Sequence, residues 1–104
     1  MWIFASDSFL SIARDRNSPR RLLVQSRRRE DLTAVFPDAE VIEGREGDYP
    51  FRASMPEEEV ARAIADRVRT IDYGNLKDAI EDRDLSAFAH QVWYEGLRLQ
   101  KGSE

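Results

Sequence analysis

Residues 9–26 read FLSIARDRNSPRRLLVQS, and this stretch decides the fold class. From Phe9 to Arg14 the side chains alternate between two faces, and period-two alternation with β-branched and aromatic residues is typical of a strand. Asn17-Ser18-Pro19 is a turn signal, because Asn and Ser bond their own backbone and Pro fixes φ. Leu22 to Gln25 indicates a returning strand. We therefore expect a long β-hairpin over residues 9–26. A further strand could start at Ile3 to Ala5.

The chain after this hairpin predicts a helix and then two more strands. Ser26 is the expected N-cap of a short helix that Pro37 ends. Residues 39–43 and 49–55 are strand candidates joined by a turn, since both contain alternating apolar residues. The second of these strands is expected to present Phe51 and Ala53 on one face.

The best-defined helix follows Pro56. Its apolar positions recur at helical spacing: Val60, Ile64, Val68 and Ile71. This stripe is expected to pack on the sheet face that carries Phe51 and Ala53. Ser54 and Glu57 match a capping box, which would begin the helix.

The C-terminal third is expected to be helical. A short helix is predicted over residues 76–81 and a longer one over 84–100, while residues 101–104 form a polar tail expected to fray. The element order is then β-β-α-β-β-α with a helical extension: an α+β antiparallel sheet with helices on one face. It equals a ferredoxin-like unit whose last strand has moved to the front, and another antiparallel strand order is the alternative.

Length and composition limit the class of protein. The 104 residues suit one domain, with a core over 1–72, a helical extension over 75–100 and the tail. Hydrophobic residues at 41% exclude a disordered chain, and no apolar run is long enough to cross a membrane. Cysteine is absent, which excludes disulfides, thiolate metal sites and a cysteine nucleophile. A cytoplasmic location is expected.

Arginines give the N-terminal part of the chain an unusual charge. Residues 1–29 carry seven arginines against two aspartates, although the net charge of the chain is −4. The candidate binding residues among them are Arg20, Arg21, Arg27, Arg28 and Arg29. An arginine-rich hairpin suits a phosphate backbone, but Glu30 and Asp31 interrupt the group, and a pI of about 5.1 disfavours a dedicated nucleic-acid binder.

Catalytic and metal-binding signals are weak. His90 is the single histidine, and it is expected to be structural because a triad or zinc site needs several partners. The acidic residues near Asp82 lack the spacing and glycine of a calcium loop. Residues 44–48 suit a hairpin turn better than a phosphate loop. We therefore expect no catalytic residue, cofactor or metal.

Aromatic residues are expected to fill the core for the most part. The set is Trp2, Phe4, Phe9, Phe51, Phe88, Trp93 and Tyr94. Trp93 and Tyr94 are adjacent in a helix and therefore point about 100° apart. One of them is thus a candidate for an exposed position, where Trp, Tyr and Arg commonly anchor protein interfaces.

Several short segments carry a resemblance to known proteins. They are Met1-Trp2-Ile3-Phe4, Leu22-Leu23-Val24, Arg28-Arg29-Glu30-Asp31-Leu32, Ile71-Asp72-Tyr73, Leu76-Lys77-Asp78, and Val92-Trp93 through Leu99-Gln100. With them the chain resembles a group of small uncharacterised bacterial and phage-borne proteins that start Met-Trp-Ile-Phe. The resemblance implies one small standalone domain and carries no activity or site residues.

Three function classes follow from these observations. The favoured one is a non-catalytic protein-interaction module, such as an adaptor, inhibitor or regulatory subunit, with a protein partner. The second is a nucleic-acid-associated protein that uses the arginine hairpin. The third is a ferredoxin-like homodimer that binds a small molecule between sheet and helices.

Overall fold

The computed structural model describes residues 1–45 and 47–102. Within these ranges the chain forms five strands and five helices. The strands are β1 (Trp2–Ala5), β2 (Ser8–Arg14), β3 (Arg21–Ser26), β4 (Ile42–Glu43) and β5 (Phe51–Pro56). The helices are α1 (Arg29–Val35), α2 (Glu57–Arg69), α3 (Leu76–Ala79), α4 (Arg83–Glu95) and α5 (Leu97–Gly102). The predicted α+β class is confirmed.

All strands belong to one antiparallel sheet with the order β1-β2-β3-β5-β4. The expected hairpin is confirmed, since β2 pairs with β3 and Arg14 lies opposite Leu22. Its turn is closed locally, with the Asn17 N–H donating to an Asp15 carboxylate oxygen at 2.9 Å. This polar turn fixes the register of the two central strands.

The two edge strands differ from the sequence-based expectation. β1 is a full strand paired with β2, which adds a fifth strand to the predicted four. β4 contains only Ile42 and Glu43 instead of residues 39–43. The reason is that Ala39 and Val41 pack against the core, so the chain joins the ladder only after Val41.

The sheet carries helices on both faces. The main core cluster comprises Leu10, Ile12, Val24, Leu32, Phe36, Ala53, Met55 and Val60, and so places α1 and α2 on one face. A second cluster comprises Phe9, Ile80, Leu85 and Ala89, with Phe4 and Leu76 packed against it. Because Phe9 and Leu10 point to opposite sides of β2, α3 and α4 cover part of the opposite face.

The predicted apolar stripe of α2 is only half correct. Val60 is buried and Ile64 packs against the core, whereas Val68 is 61% and Ile71 51% exposed. The first turns of α2 lie over β5 and β3, but its end reaches the edge of β1, where no further strand lies beneath it.

Both predicted helix caps are wrong. The Ser54 hydroxyl donates to Asp15 at 2.6 Å instead of capping α2, and it accepts from Arg21 Nε at 3.0 Å. The Ser26 hydroxyl donates to the carbonyl of Arg28 at 2.6 Å, which leaves α1 without a side-chain cap. In both cases the hydroxyl bonds to a cross-strand or turn partner and makes no bond to the N–H groups of the helix.

The C-terminal helix is divided in two at Gly96, where α4 ends and α5 follows. α5 continues to Gly102, so residues 101 and 102 of the predicted fraying tail are helical, and residues 103–104 lie outside the described ranges. None of the described helices has the length and apolar character needed to cross a membrane.

Candidate functional site

Arg28 is the centre of a charge network instead of a free binding residue. Its guanidinium lies 2.7 Å from Asp31, 3.1 Å from Asp82 and 3.6 Å from Glu30. Burial lowers the pKa of Arg28, but the hydrogen bonds that Arg28 donates to Asp31 and Asp82 outweigh it and raise this pKa above its ordinary value. Three carboxylates therefore offset the charge of Arg28.

Asp31 accepts a backbone hydrogen bond that a neighbouring strand would otherwise accept. The N–H of Phe9 points towards β3, but β3 ends at Ser26, so no strand carbonyl is available there. Asp31 Oδ2 accepts this N–H at 3.0 Å, and the residue is only 3% exposed. Burial raises the pKa of Asp31 above its ordinary value, although the Phe9 N–H and Arg28 oppose this shift.

Asp82 connects the same network to α4. It caps this helix by accepting the Leu85 N–H at 2.8 Å, and it also accepts from Arg28. The Leu85 N–H and Arg28 together lower the pKa of Asp82. An aspartate directly before a helix is a cap signal in the sequence, but its pairing with Arg28 is a long-range contact that no local pattern announces.

The remaining predicted arginines fall into two groups. Arg27 stacks on Tyr49 with 5.0 Å from guanidinium to ring centroid, and Arg29 stacks on Phe51 at 5.4 Å. Arg21 donates to Ser54, and Arg20 is exposed at the hairpin turn with φ of +65°. Arg20 and Arg21 lie at one end of β3 and the other three follow its opposite end. The five arginines thus form no continuous cationic surface.

A groove between β1, β2 and α4 is the most distinctive surface feature. We call it the aromatic groove, lined by Trp2, Phe4, Phe9, Arg27, Tyr49, Phe88 and Val92. The ring centroids of Phe4 and Phe88 are 5.4 Å apart, and those of Phe9 and Phe88 are 5.1 Å apart. Trp2 meets Phe9 edge-on at 5.7 Å. Trp2 nevertheless stays 72% exposed and Phe88 43% exposed.

Trp93 and Tyr94 are both exposed, although only one of them was a candidate for an exposed position, and the expectation of a mainly buried aromatic set is also wrong for Trp2 and Phe88. The reason is that residues 91–100 extend beyond the packed part of α4, and each of them is exposed. Trp93 is covered in part by Lys77, whose ammonium lies 5.2 Å from the ring centroid. Both residues lie on the same helix as Phe88 and Val92 but outside the lining of the aromatic groove.

The spacing of apolar residues in the sequence is consistent with this groove. Trp2 and Phe4 alternate onto one face of β1, and Phe88 and Val92 are four residues apart on α4. The groove is not predicted from the sequence, because residues 3–5 are only a strand start there and stand outside the four expected strands. Without β1, the two aromatic residues had no defined face.

His90 is exposed, with Nδ1 2.8 Å from the carbonyl oxygen of Ser86. Across residues 1–45 and 47–102, no group of three or more histidine, aspartate or glutamate side chains is arranged to hold a metal ion. The acidic residue singled out in the sequence, Asp82, caps a helix.

No protein-family model, curated protein sequence or solved structure matches this chain.

Proposed function

We propose that this protein is a small protein-interaction module whose docking surface is the aromatic groove. The observation that carries the proposal is the exposure of Trp2 and Phe88 in a groove where four aromatic rings already contact one another. Exposed Trp, Tyr and Arg side chains are the residues that most often dominate binding energy in protein interfaces. The proposal includes a cytoplasmic location and no catalytic role.

The size of the surface supports a protein partner. The exposed parts of Trp2, Phe88 and Val92 amount to on the order of 300 Å² of apolar surface. Each side of a standard interface contributes about 800 Å². The aromatic groove therefore supplies the apolar centre of such a surface, and a polar rim would supply the rest.

The charge at the groove indicates the chemistry of the partner. Arg27 lies over Tyr49 and donates to the Asp48 carbonyl at 3.0 Å, and no described carboxylate lies within ion-pair distance of it. Lys77, over Trp93, is likewise without a described carboxylate at that distance. We therefore propose a partner segment with an apolar anchor side chain next to a carboxylate.

The other two function classes have less support. Nucleic-acid binding needs several free cations, whereas Arg28 is offset by carboxylates and the net charge is −4. A ferredoxin-like unit is supported by the order β2-β3-β5-β4, with β2 in the place of the moved strand and α1 and α2 on one face. That finer fold assignment is a proposal, and it does not by itself give a ligand.

A random peptide library displayed on phage and selected against the full-length protein tests the function. We expect enrichment of peptides with a large apolar residue beside Asp or Glu, and binding of a selected peptide measured by fluorescence anisotropy. Arg27→Ala and Val92→Glu should each weaken this binding about tenfold or more. Arg16→Ala and Ile42→Ala are the matched controls, because both residues are exposed and lie outside the groove.

Two results would contradict the proposal. One is the absence of enrichment, or selected peptides that bind the Arg27→Ala and Val92→Glu variants unchanged. The other is submicromolar binding of labelled oligonucleotides at physiological salt that is lost in a triple Ala variant of Arg27, Arg28 and Arg29. A steep salt dependence of that binding would assign the function to nucleic acid.

A further inference from the structure

The outer edge of β1 has free hydrogen-bonding groups. The Met1 amine donates to the Ile12 carbonyl at 2.7 Å, and the Ile12 N–H donates back to the Met1 carbonyl at 2.8 Å. Because bonded pairs alternate in an antiparallel ladder, the backbone groups of Ile3 also face β2, and those of Trp2 and Phe4 face outward. Nothing in the described part of the chain hydrogen-bonds to these outward groups.

The surroundings of this edge are apolar on one face of the sheet and mixed on the other. On the apolar face lie the side chains of Trp2 and Phe4. On the other, Ile3 lines a cavity beside the edge together with Val68 and Ile71, the two exposed residues of the α2 stripe, and with charged residues that include Arg67 and Asp72. Natural edge strands are usually protected by a charge, a proline or a bulge, and residues 2–5 contain none of these.

We propose that a second copy of this chain pairs with β1, joining two sheets edge to edge. β1 is apolar at every position in Trp2-Ile3-Phe4-Ala5, so β1 of a second copy can place apolar side chains beside Trp2 and Phe4 on one face and beside Val68 and Ile71 on the other. No charge on either strand opposes the pairing.

The register of the proposed strand pair follows from the outward N–H and carbonyl groups of Trp2 and Phe4. An antiparallel pairing centred on Ile3 places Trp2 of each copy opposite Phe4 of the other. The outward N–H and carbonyl groups of these two residues then form four hydrogen bonds across the twofold axis. Trp2 of one copy covers Phe4 of the other on one face, and Val68 and Ile71 of both copies approach each other on the opposite face.

The other edge of the sheet explains why the assembly closes as a dimer. β4 has only two residues, and one of them is the charged Glu43. A strand this short and charged is a poor template for further pairing. The joined sheet would thus have β4 at both ends, and the twofold contact uses the same surface on both copies.

The mass of the full-length protein in solution, measured by sedimentation equilibrium over a concentration series, tests this proposal. We expect twice the 12.0 kDa of the chain. Trp2→Pro removes an outward N–H and should weaken the dimer about tenfold or more, whereas Trp2→Thr keeps that N–H and should weaken it less. Val68→Glu should also weaken the dimer, and its exposed position leaves the fold intact. Circular dichroism checks the fold of each variant.

Amide hydrogen exchange gives a second readout within the wild-type protein. The Phe4 amide should exchange more slowly as concentration rises, whereas the Ile3 amide, which faces β2, should not change. A monomer at all concentrations would overturn the proposal. In that case an extended strand of another protein would be the favoured partner of this edge. A dimer unaffected by both Trp2→Pro and Val68→Glu, or an open-ended polymer, would also overturn it. Because Val68 lies outside the lining of the aromatic groove, Val68→Glu should weaken the dimer and leave peptide binding unchanged, which separates failure of dimerisation from failure of peptide binding.

Discussion

Asp31→Ala is the substitution for which the structure predicts the largest effect of a single polar side chain. Asp31 accepts the Phe9 N–H at 3.0 Å and pairs with Arg28 at 2.7 Å, and the residue is 3% exposed. Alanine leaves a buried N–H without an acceptor, which costs about 1–3 kcal/mol. It also removes the most buried partner of Arg28.

The expected loss in the free energy of unfolding is about 2–4 kcal/mol. Breaking a fully buried pair costs about 3–5 kcal/mol, and the lower range applies because Arg28 keeps Asp82 and Glu30 as partners. This is a large share of the roughly 5–15 kcal/mol by which a typical domain is stable. Asp31→Asn should cost clearly less, since its amide oxygen can still accept from Phe9.

Urea unfolding followed by far-UV circular dichroism measures both variants against the wild type, at one low protein concentration. The m-values should agree, so that the midpoints report stability alone. A loss below about 1 kcal/mol for Asp31→Ala, or equal losses for Ala and Asn, would refute the reasoning that Asp31 replaces a strand acceptor.

Two further predictions concern the core and the acid response. Leu32→Ala should cost about 2–5 kcal/mol in urea unfolding because Leu32 is fully buried between α1 and the sheet, whereas the exposed Ile42→Ala should change stability by about 0.5 kcal/mol or less; similar losses for both would contradict this core assignment. Asp82 has a pKa below its ordinary value of 3.8, so it contributes stability that is present above that pH and is lost as the pH falls through the folded pKa. Asp82→Asn keeps a capping side chain but cannot ionise, so its stability should fall less steeply than that of the wild type from about pH 5 to about pH 2, and parallel curves would contradict the role of the charge.

Local signals in the sequence account for much of the fold. The hairpin was predictable because alternation and the turn residues around Pro19 act within a few residues of each other. The beginning of α2 was predictable for the same reason, although the Ser54 cap was not, since its hydroxyl bonds across the sheet to Asp15. Sequence spacing described the α2 stripe as one surface, but only the sheet beneath it decides that Val60 is buried and Val68 is not.

The candidate site depended on contacts between distant parts of the chain. The arginines stood out in the sequence as a single group, but their partners come from elements far apart, as with Arg28 and Asp82. Only one of Trp93 and Tyr94 was a candidate for an exposed position, and both are exposed because α4 is longer than the sheet face it covers. A pattern of spacing reports which residues share a face of an element, and it does not report what covers that face.

The charge network and the aromatic groove are linked structurally through α4. Asp31 accepts hydrogen bonds from Phe9, near the start of β2, and from Arg28. Arg28 in turn donates to Asp82, the N-cap residue of α4. These contacts fix the first turn of α4 over β2, where the Phe88 ring meets Phe9 at 5.1 Å. The shape of the groove therefore depends on a buried carboxylate that lies outside its lining and that a docking partner would not contact. A substitution of Asp31 would then weaken partner binding through the position of α4, even in molecules that remain folded.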